Sequence, residues 1–252
     1  MELSEALGLG AREVVALVGG GGKTTTMYRL CRDAALRGHR GIATGTARFT
    51  SPPDGLDAPL LVDENEERLV SSIEKRLSRE EPWMIAAMGH GSQGRLLPLS
   101  YDAIARLASL PDLDLIAIEA DGSAMRPFKA PAGHEPAVPP SATLVVAVVG
   151  ADIFGRPLTD DAVHRPERVT ALTGAEPGAL VMPAMVAAVL SHREGGRKDV
   201  PAGARFVALI NKVTPARRHQ AHETAKLLLD AGIERVVLAQ ARAEQAVVDV
   251  LA

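Results

Sequence analysis

The chain has 252 residues, enough for one compact domain whose core needs neither disulfides nor a structural metal. Hydrophobic residues make up 46% and charged residues 23%, which excludes disorder, and a formal net charge of -3 removes the electrostatic footprint of a nucleic-acid binder. The lone Cys31 excludes an internal disulfide framework and a multi-cysteine zinc site, and aromatics at 3% leave the core to Ala, Val, Leu and Ile.

Glu2 and Glu5 stand where a signal peptide would carry a basic region, and no apolar run is long enough for a membrane span, so a cytoplasmic protein without membrane contact is expected. Residues 14–18 form a β-branched apolar run that predicts a buried strand, followed by Gly19, Gly20, Gly21 and Gly22. From Thr24 the period changes: Met27, Leu30, Cys31, Ala34 and Ala35 share a helix face, and Gly38 is placed to stop it. Strands are predicted over 41–46 and 83–88, with a helix marked by Leu69, Ile73 and Leu77 between them. Ser100 caps a helix over 101–109, and a strand over 113–120 ends in acidic residues. Residues 143–149 and 205–210 are further buried strands, 215–230 a helix with Pro near its start, 235–238 a strand and 241–251 a last helix. Apolar strands alternating with helices predict an α/β fold: a single P-loop NTPase-like domain over 1–252, with a mostly parallel twisted sheet and helices on both faces. The segment 126–140 carries Pro127, Pro131, Pro136, Pro139 and Pro140, so it is read as an ordered functional loop rather than helix interior or central strand.

The strongest chemical signal is Gly19-Gly20-Gly21-Gly22-Lys23-Thr24-Thr25, placed between a buried strand and an amphipathic helix. Phosphate binding needs this combination. Glycines let backbone N–H groups converge on anionic oxygens, the helix N-terminus adds partial positive charge, Lys23 reaches the β/γ-phosphates, and Thr24 is placed to ligate Mg²⁺. Leu17 stands where the longer phosphate loop has its first glycine, and the shorter form resembles the loop of Mur-type peptide ligases. Glu119 and Asp121, two apart at the end of a predicted strand, point to one face; either can be the metal carboxylate and the other a base or water-positioner. Arg126 and Lys129 follow on the proline-rich loop, placed to meet a transferred phosphoryl group, and His134 with Glu135 offers proton transfer or metal binding.

Weaker signals sit at the ends of other strands: Thr44, Thr46 and Arg48 as a switch-like segment, the glycine-rich 89–95, and His164-Arg165-Pro166 as the source of a second phosphate-contacting Arg. Asn211-Lys212-Val213-Thr214 looks like the guanine-recognition N-K-x-D, but Thr214 lacks the two-oxygen acceptor that guanine requires. The base of the triphosphate, ATP or GTP, is therefore open, with Asn211 and Lys212 kept as nucleotide-binding candidates.

Taken together, Gly19 to Thr25, Glu119-Ala120-Asp121-Gly122-Ser123, Lys129-Ala130-Pro131, His134-Glu135-Pro136, Val149-Gly150-Ala151-Asp152, His164-Arg165-Pro166 and Asn211-Lys212 resemble the YqeC family. The resemblance implies an accessory protein in the maturation of selenium-dependent molybdenum hydroxylases, with such a hydroxylase or its cofactor as partner. A Mg²⁺-dependent triphosphatase fits these residues. A nucleotide-switched chaperone for the client hydroxylase and a Mur-like ligase or kinase are the alternatives.

Overall fold

The strand Glu13–Gly19 (β1) buries both of its faces: Val14, Ala16 and Val18 join one apolar cluster, and Val15 and Leu17 join another on the opposite side. Successive side chains of a strand point to opposite faces, so an unbroken apolar run implies a sheet covered on both sides. A computed structural model describes residues 1–53, 56, 58–77 and 81–252. In chain order its elements are α1 (Leu3–Ala6), β1, α2 (Lys23–Leu36), β2 (Gly41–Gly45), β3 (Phe49–Thr50), β4 (Leu60–Val62), α3 (Glu66–Leu77), β5 (Trp83–Ala87), β6 (Arg95–Leu96), α4 (Tyr101–Ala108), β7 (Leu115–Glu119) and β8 (Phe128–Lys129). There follow β9 (Leu144–Gly150), β10 (Val163–His164), α5 (Pro166–Thr173), α6 (Pro183–Ser191), β11 (Arg205–Asn211), α7 (Arg218–Asp230), β12 (Val236–Ala239) and β13 (Val247–Leu251).

Among the described residues, nine strands form one sheet in the order β13-β12-β11-β9-β1-β7-β2-β5-β4. All neighbours pair in parallel except β12 and β13. The fold is thus mixed α/β around a mostly parallel sheet. Helices α1 and α2 pack on one face, through Leu3, Met27, Leu30 and Cys31. Helices α3, α4, α6 and α7 cover the other, through Ile73, Ile104, Val186 and Leu228. Each fully buried Leu or Ile contributes roughly 1.5–3 kcal/mol of transfer free energy, so the sheet is held by its two apolar layers. Among the described residues no helix is long and apolar enough to cross a membrane.

Local signals act where they are expected. Gly38 adopts φ 79° just past α2, and its N–H and that of His39 donate to Ala35 O and Ala34 O, both at 3.0 Å, which closes the helix end. The Ser100 hydroxyl accepts the Ala103 N–H at 3.1 Å and caps α4. Residues 126–140 stay irregular apart from the two-residue β8, which pairs with β10 outside the main sheet.

The last helix expected over 241–251 is corrected. After a turn in which Gln240 N–H donates to Ala246 O at 2.7 Å, Val247–Leu251 returns as β13, antiparallel to β12. Val247, Val248 and Val250 are β-branched, lose side-chain freedom in a helix and suit a pleated edge, which outweighs the helix-forming residues before them. Helix α6 is absent from the expected elements because its apolar run lacks a polar face to mark a period.

At the edge where the strands begin, Glu13 accepts the Gly10 N–H at 2.8 Å and also bonds the Thr143 hydroxyl and the Arg205 guanidinium. Arg205 in turn donates to Gly8 O at 2.5 Å. The segments leading into β1, β9 and β11 are stapled there. The opposite edge, where strands end, gathers the expected site residues.

Candidate functional site

The register aligns the strand ends: Leu17 pairs with Glu119, Gly45 with Glu119, Gly19 with Val148, and Gly150 with Asn211. The glycine loop, the acidic pair and the Asn-Lys pair therefore meet on one edge of the sheet, the usual place for ligands in parallel α/β folds.

Backbone crowding dictates the glycines. A Cβ on Gly21 would lie 2.1 Å from the Gly150 nitrogen, and one on Gly22 would lie 2.4 Å from Asn211 Nδ2; their φ values are 86° and 126°. Gly21→Ala combines left-handed strain with a backbone clash, so it is expected to cost at least about 2 kcal/mol, read as a lowered thermal midpoint together with loss of anion binding.

The loop amides divide into two groups. Gly19 N–H donates to both oxygens of Asp121 at 3.1 and 3.0 Å, Gly20 N–H to Val148 O at 2.9 Å, and Gly21 N–H to Arg126 O at 3.2 Å. The N–H groups of Gly22, Lys23, Thr24 and Thr25 have no acceptor among the described residues. Four donors at the positive end of a helix of fourteen residues make an anion cradle.

Lys23 lies folded over this cradle. Its Nζ donates to Gly19 O at 2.6 Å and sits 3.2 Å from Asp121 and 3.9 Å from Glu119, with 3% of the side chain exposed. Asp121 is paired on its other oxygen with Lys129, 3.0 Å away. Lys129 also donates to Gly122 O and to Glu135 Oε2, both at 2.6 Å, so the three donors of its ammonium are all engaged within the chain. Glu135 in turn takes a forked pair of bonds from Arg165, at 2.7 and 3.1 Å. The result is a line of alternating charge, Lys23, Asp121, Lys129, Glu135 and Arg165, running from the glycine loop into the proline-rich loop.

Burial pushes the Glu135 carboxyl up, but hydrogen bonds and charge from Arg165 and Lys129 outweigh it and bring the pKa from 4.5 to about 2. A depressed carboxylate pKa contributes stability above its unfolded value, and that stability is lost as pH falls through the folded value. Wild type is therefore expected to exceed Glu135→Gln by roughly 1–2 kcal/mol at neutral pH, allowing for partial solvent exposure, with the gap closing between pH 4.5 and about 2 in denaturant titrations.

Glu119 has a different setting. Its Oε2 accepts the Thr24 hydroxyl at 2.5 Å, and burial pushes the carboxyl above the ordinary range, against the lowering influence of Lys23 and Thr24. A hydroxyl and a carboxylate oxygen converging beside free amides suit a hard cation, and Mg²⁺ is typically held by one or two carboxylates while phosphates and waters fill its shell. Thr24 and Glu119 fit that role, whereas Asp121 has both oxygens committed to Gly19 N–H and two lysines. Among the described residues no group of three or more His, Cys, Asp or Glu can hold a metal, so a cation here would need ligands from outside the chain.

The other expected residues separate. Asn211 is buried and donates to Gly21 O at 3.0 Å while accepting the Ala241 N–H at 3.0 Å, so it fastens the glycine loop to the β12–β13 turn. Lys212 is half-exposed and pairs with Asp152. Thr25 opens α2 with a partly exposed side chain. The Arg126 guanidinium turns to Asp160 O at 2.7 Å, and its backbone carbonyl is the part that meets the loop. His134 is exposed and has no hydrogen bond or ion pair among the described residues. The Thr44 hydroxyl is tied to Ala86 O at 2.8 Å and that of Thr46 to Ala137 O at 2.5 Å, which makes them braces of the strand ends. Arg165, expected on phosphate, is spent on Glu135. Arg95, beside the glycine-rich 89–95 turn, has one long hydrogen bond, 3.5 Å to Arg48 O, and its charge acts on Glu119. Its position in a glycine-rich turn after β5 is the sequence signal for it.

Residues 15–167 match the family model described as YqeC protein. The match spans the glycine loop, the acidic pair, the proline-rich loop and Arg165, and ends before Asn211. The chain is also similar to a protein of Escherichia coli (strain K12) described as "Uncharacterized protein YqeC", with 32% identity over 210 residues, covering 81% of this chain and 78% of that protein.

Proposed function

Since the chain belongs to the YqeC family, we propose that the edge shared by its glycine loop and acidic pair is a Mg²⁺-dependent nucleoside triphosphate site of P-loop NTPase type, and that the protein hydrolyses the triphosphate or transfers its γ-phosphoryl group. The observation that carries this reading is the cradle of four N–H groups, Gly22 to Thr25, with no acceptor among the described residues, Lys23 folded over it and the Thr24–Glu119 pair at its side. Lys23 exchanges Gly19 O and Asp121 for the β/γ-phosphates. Asp121 stays compensated by Lys129 and the Gly19 N–H, so the exchange strands no buried charge. Thr24 and Glu119 would hold the cation, which would supply positive charge against the phosphates. Arg95 is a lightly engaged cation whose charge reaches Glu119, and it meets charge developing on the transferred group. Lys129 acts through Asp121, as a positioning residue. The resemblance to accessory proteins of selenium-dependent molybdenum hydroxylases supports a place in maturing such an enzyme or its cofactor. Titration of the protein with ATP and with GTP, each with and without Mg²⁺, together with phosphate release, tests the reading. Binding that depends on Mg²⁺ supports it, and no binding of either triphosphate at millimolar concentration overturns it.

A further inference from the structure

The dipeptide Asn211-Lys212 has the form of a base-recognition element without its carboxylate, because Thr214 offers a single hydroxyl. A carboxylate from another strand stands beside it. Gly150, at the end of β9, pairs with Asn211, at the end of β11, so the residues that follow each emerge side by side on the ligand edge. Asp152 Oδ2 lies 2.8 Å from Lys212 Nζ, and the two side chains are 46% and 45% exposed, within reach of a ligand. Asp152 Oδ1 is shielded from water and has no hydrogen-bond partner among the described residues. That oxygen is turned inward against Gly150, where an added Cβ would lie 2.3 Å from it, so it is left unpaired at a cost until the side chain rotates outward to a donor. Lys212 is held at φ 58°, a left-handed conformation that costs a residue bearing a side chain, so the surrounding structure fixes where it stands. Asn211, one residue back, is bonded to the glycine loop itself, so Lys212 is registered against the phosphate cradle.

We infer that Asp152 supplies the carboxylate of the base site and that the nucleotide is a guanine nucleotide, an inference that rests on the phosphate-site reading above. With the Asp152 side chain turned outward from Gly150, its two oxygens accept in parallel from guanine N1–H and its exocyclic N–H. Adenine presents a lone pair at N1, which faces the same carboxylate repulsively. Lys212 holds one oxygen of Asp152 and is a positioning residue. Thr214 lacks a carboxylate because a neighbouring strand provides it.

The test measures the affinity of the full chain, with Mg²⁺, for the triphosphates of guanosine, adenosine and xanthosine, for wild type and Asp152→Asn, with thermal midpoints as a folding control. Wild type is expected to bind GTP at least about 100-fold more tightly than ATP. Asp152→Asn is expected to lose about 100-fold for GTP and to gain affinity for xanthosine triphosphate, because its amide donates to the xanthine C2 carbonyl while its oxygen still accepts N1–H. A purely structural role would not move the xanthosine arm upward. Equal wild-type affinity for GTP and ATP overturns the inference and leaves the phosphate site standing. So does an equal loss of both in the variant, which assigns Asp152 to the ribose. Failure of every triphosphate to bind wild type overturns both.

Discussion

Lys23→Ala is expected to lower Mg²⁺-dependent triphosphate hydrolysis by about 10²–10³-fold or more, the usual cost of removing a cation or donor aimed at developing charge. The variant should remain folded. Asp121 keeps Lys129 at 3.0 Å and the Gly19 N–H, so the loss of one lysine does not strand it. Lys23→Arg is expected to fail nearly as badly: the side chain is 3% exposed and wedged between Gly19 O and Asp121, where a planar guanidinium has neither the room nor the geometry of an ammonium. Phosphate-release rates with matched circular dichroism spectra check both. Hydrolysis at the wild-type rate by Lys23→Ala would take the reaction away from this loop.

Asp121→Ala carries the largest expected cost in stability, about 3–5 kcal/mol, because it removes the anion between two buried lysines and orphans a buried backbone donor at once. Lys23 is left with Glu119 at 3.9 Å, and Lys129 with Glu135 at 2.6 Å. Asp121→Asn keeps an acceptor for the Gly19 N–H and should cost less. Denaturant midpoints at constant slope read the difference. Adding Lys129→Met to Asp121→Ala should recover part of the loss, since the second change removes the cation the first one uncovers; strict additivity of the two would mean the pair is not coupled.

Much of this site is legible in the sequence, and the residues show why the rest is not. The strand, glycine turn and helix over 14–38 can be read because each rests on local rules: an apolar run, glycines at left-handed positions, and a change of period. Ser100 and Gly38 belong to the same class. Glu119 and Asp121 are likewise legible as a pair near the loop, but their division of labour is not, since it depends on which neighbours each one meets. Asp121 is taken by Lys23 and Lys129, and Glu119 is left to Thr24. The same reason hides Arg165 on Glu135 and Asp152 beside Lys212, pairs whose members lie far apart in the chain and meet only when β8 pairs with β10 and β9 with β11. Residues 241–251 mislead in the opposite direction, because helix-forming Ala, Arg, Glu and Gln over 241–246 precede valines that an open sheet edge captures.

The staple of Glu13, Thr143 and Arg205 gives the molecule a division between an anchored rim and an adaptable one. Three central strands are fixed at their starting ends by groups that touch no ligand residue, so the left-handed residues and crowded glycines at their finishing ends draw on a reserve held a full strand length away. Deepening that reserve, by a further cross-strand contact near Arg205, would let the ligand rim accumulate substitutions that a less anchored sheet could not survive. The far rim thus sets how much change the opposite rim can absorb, although the two share no contact among the described residues.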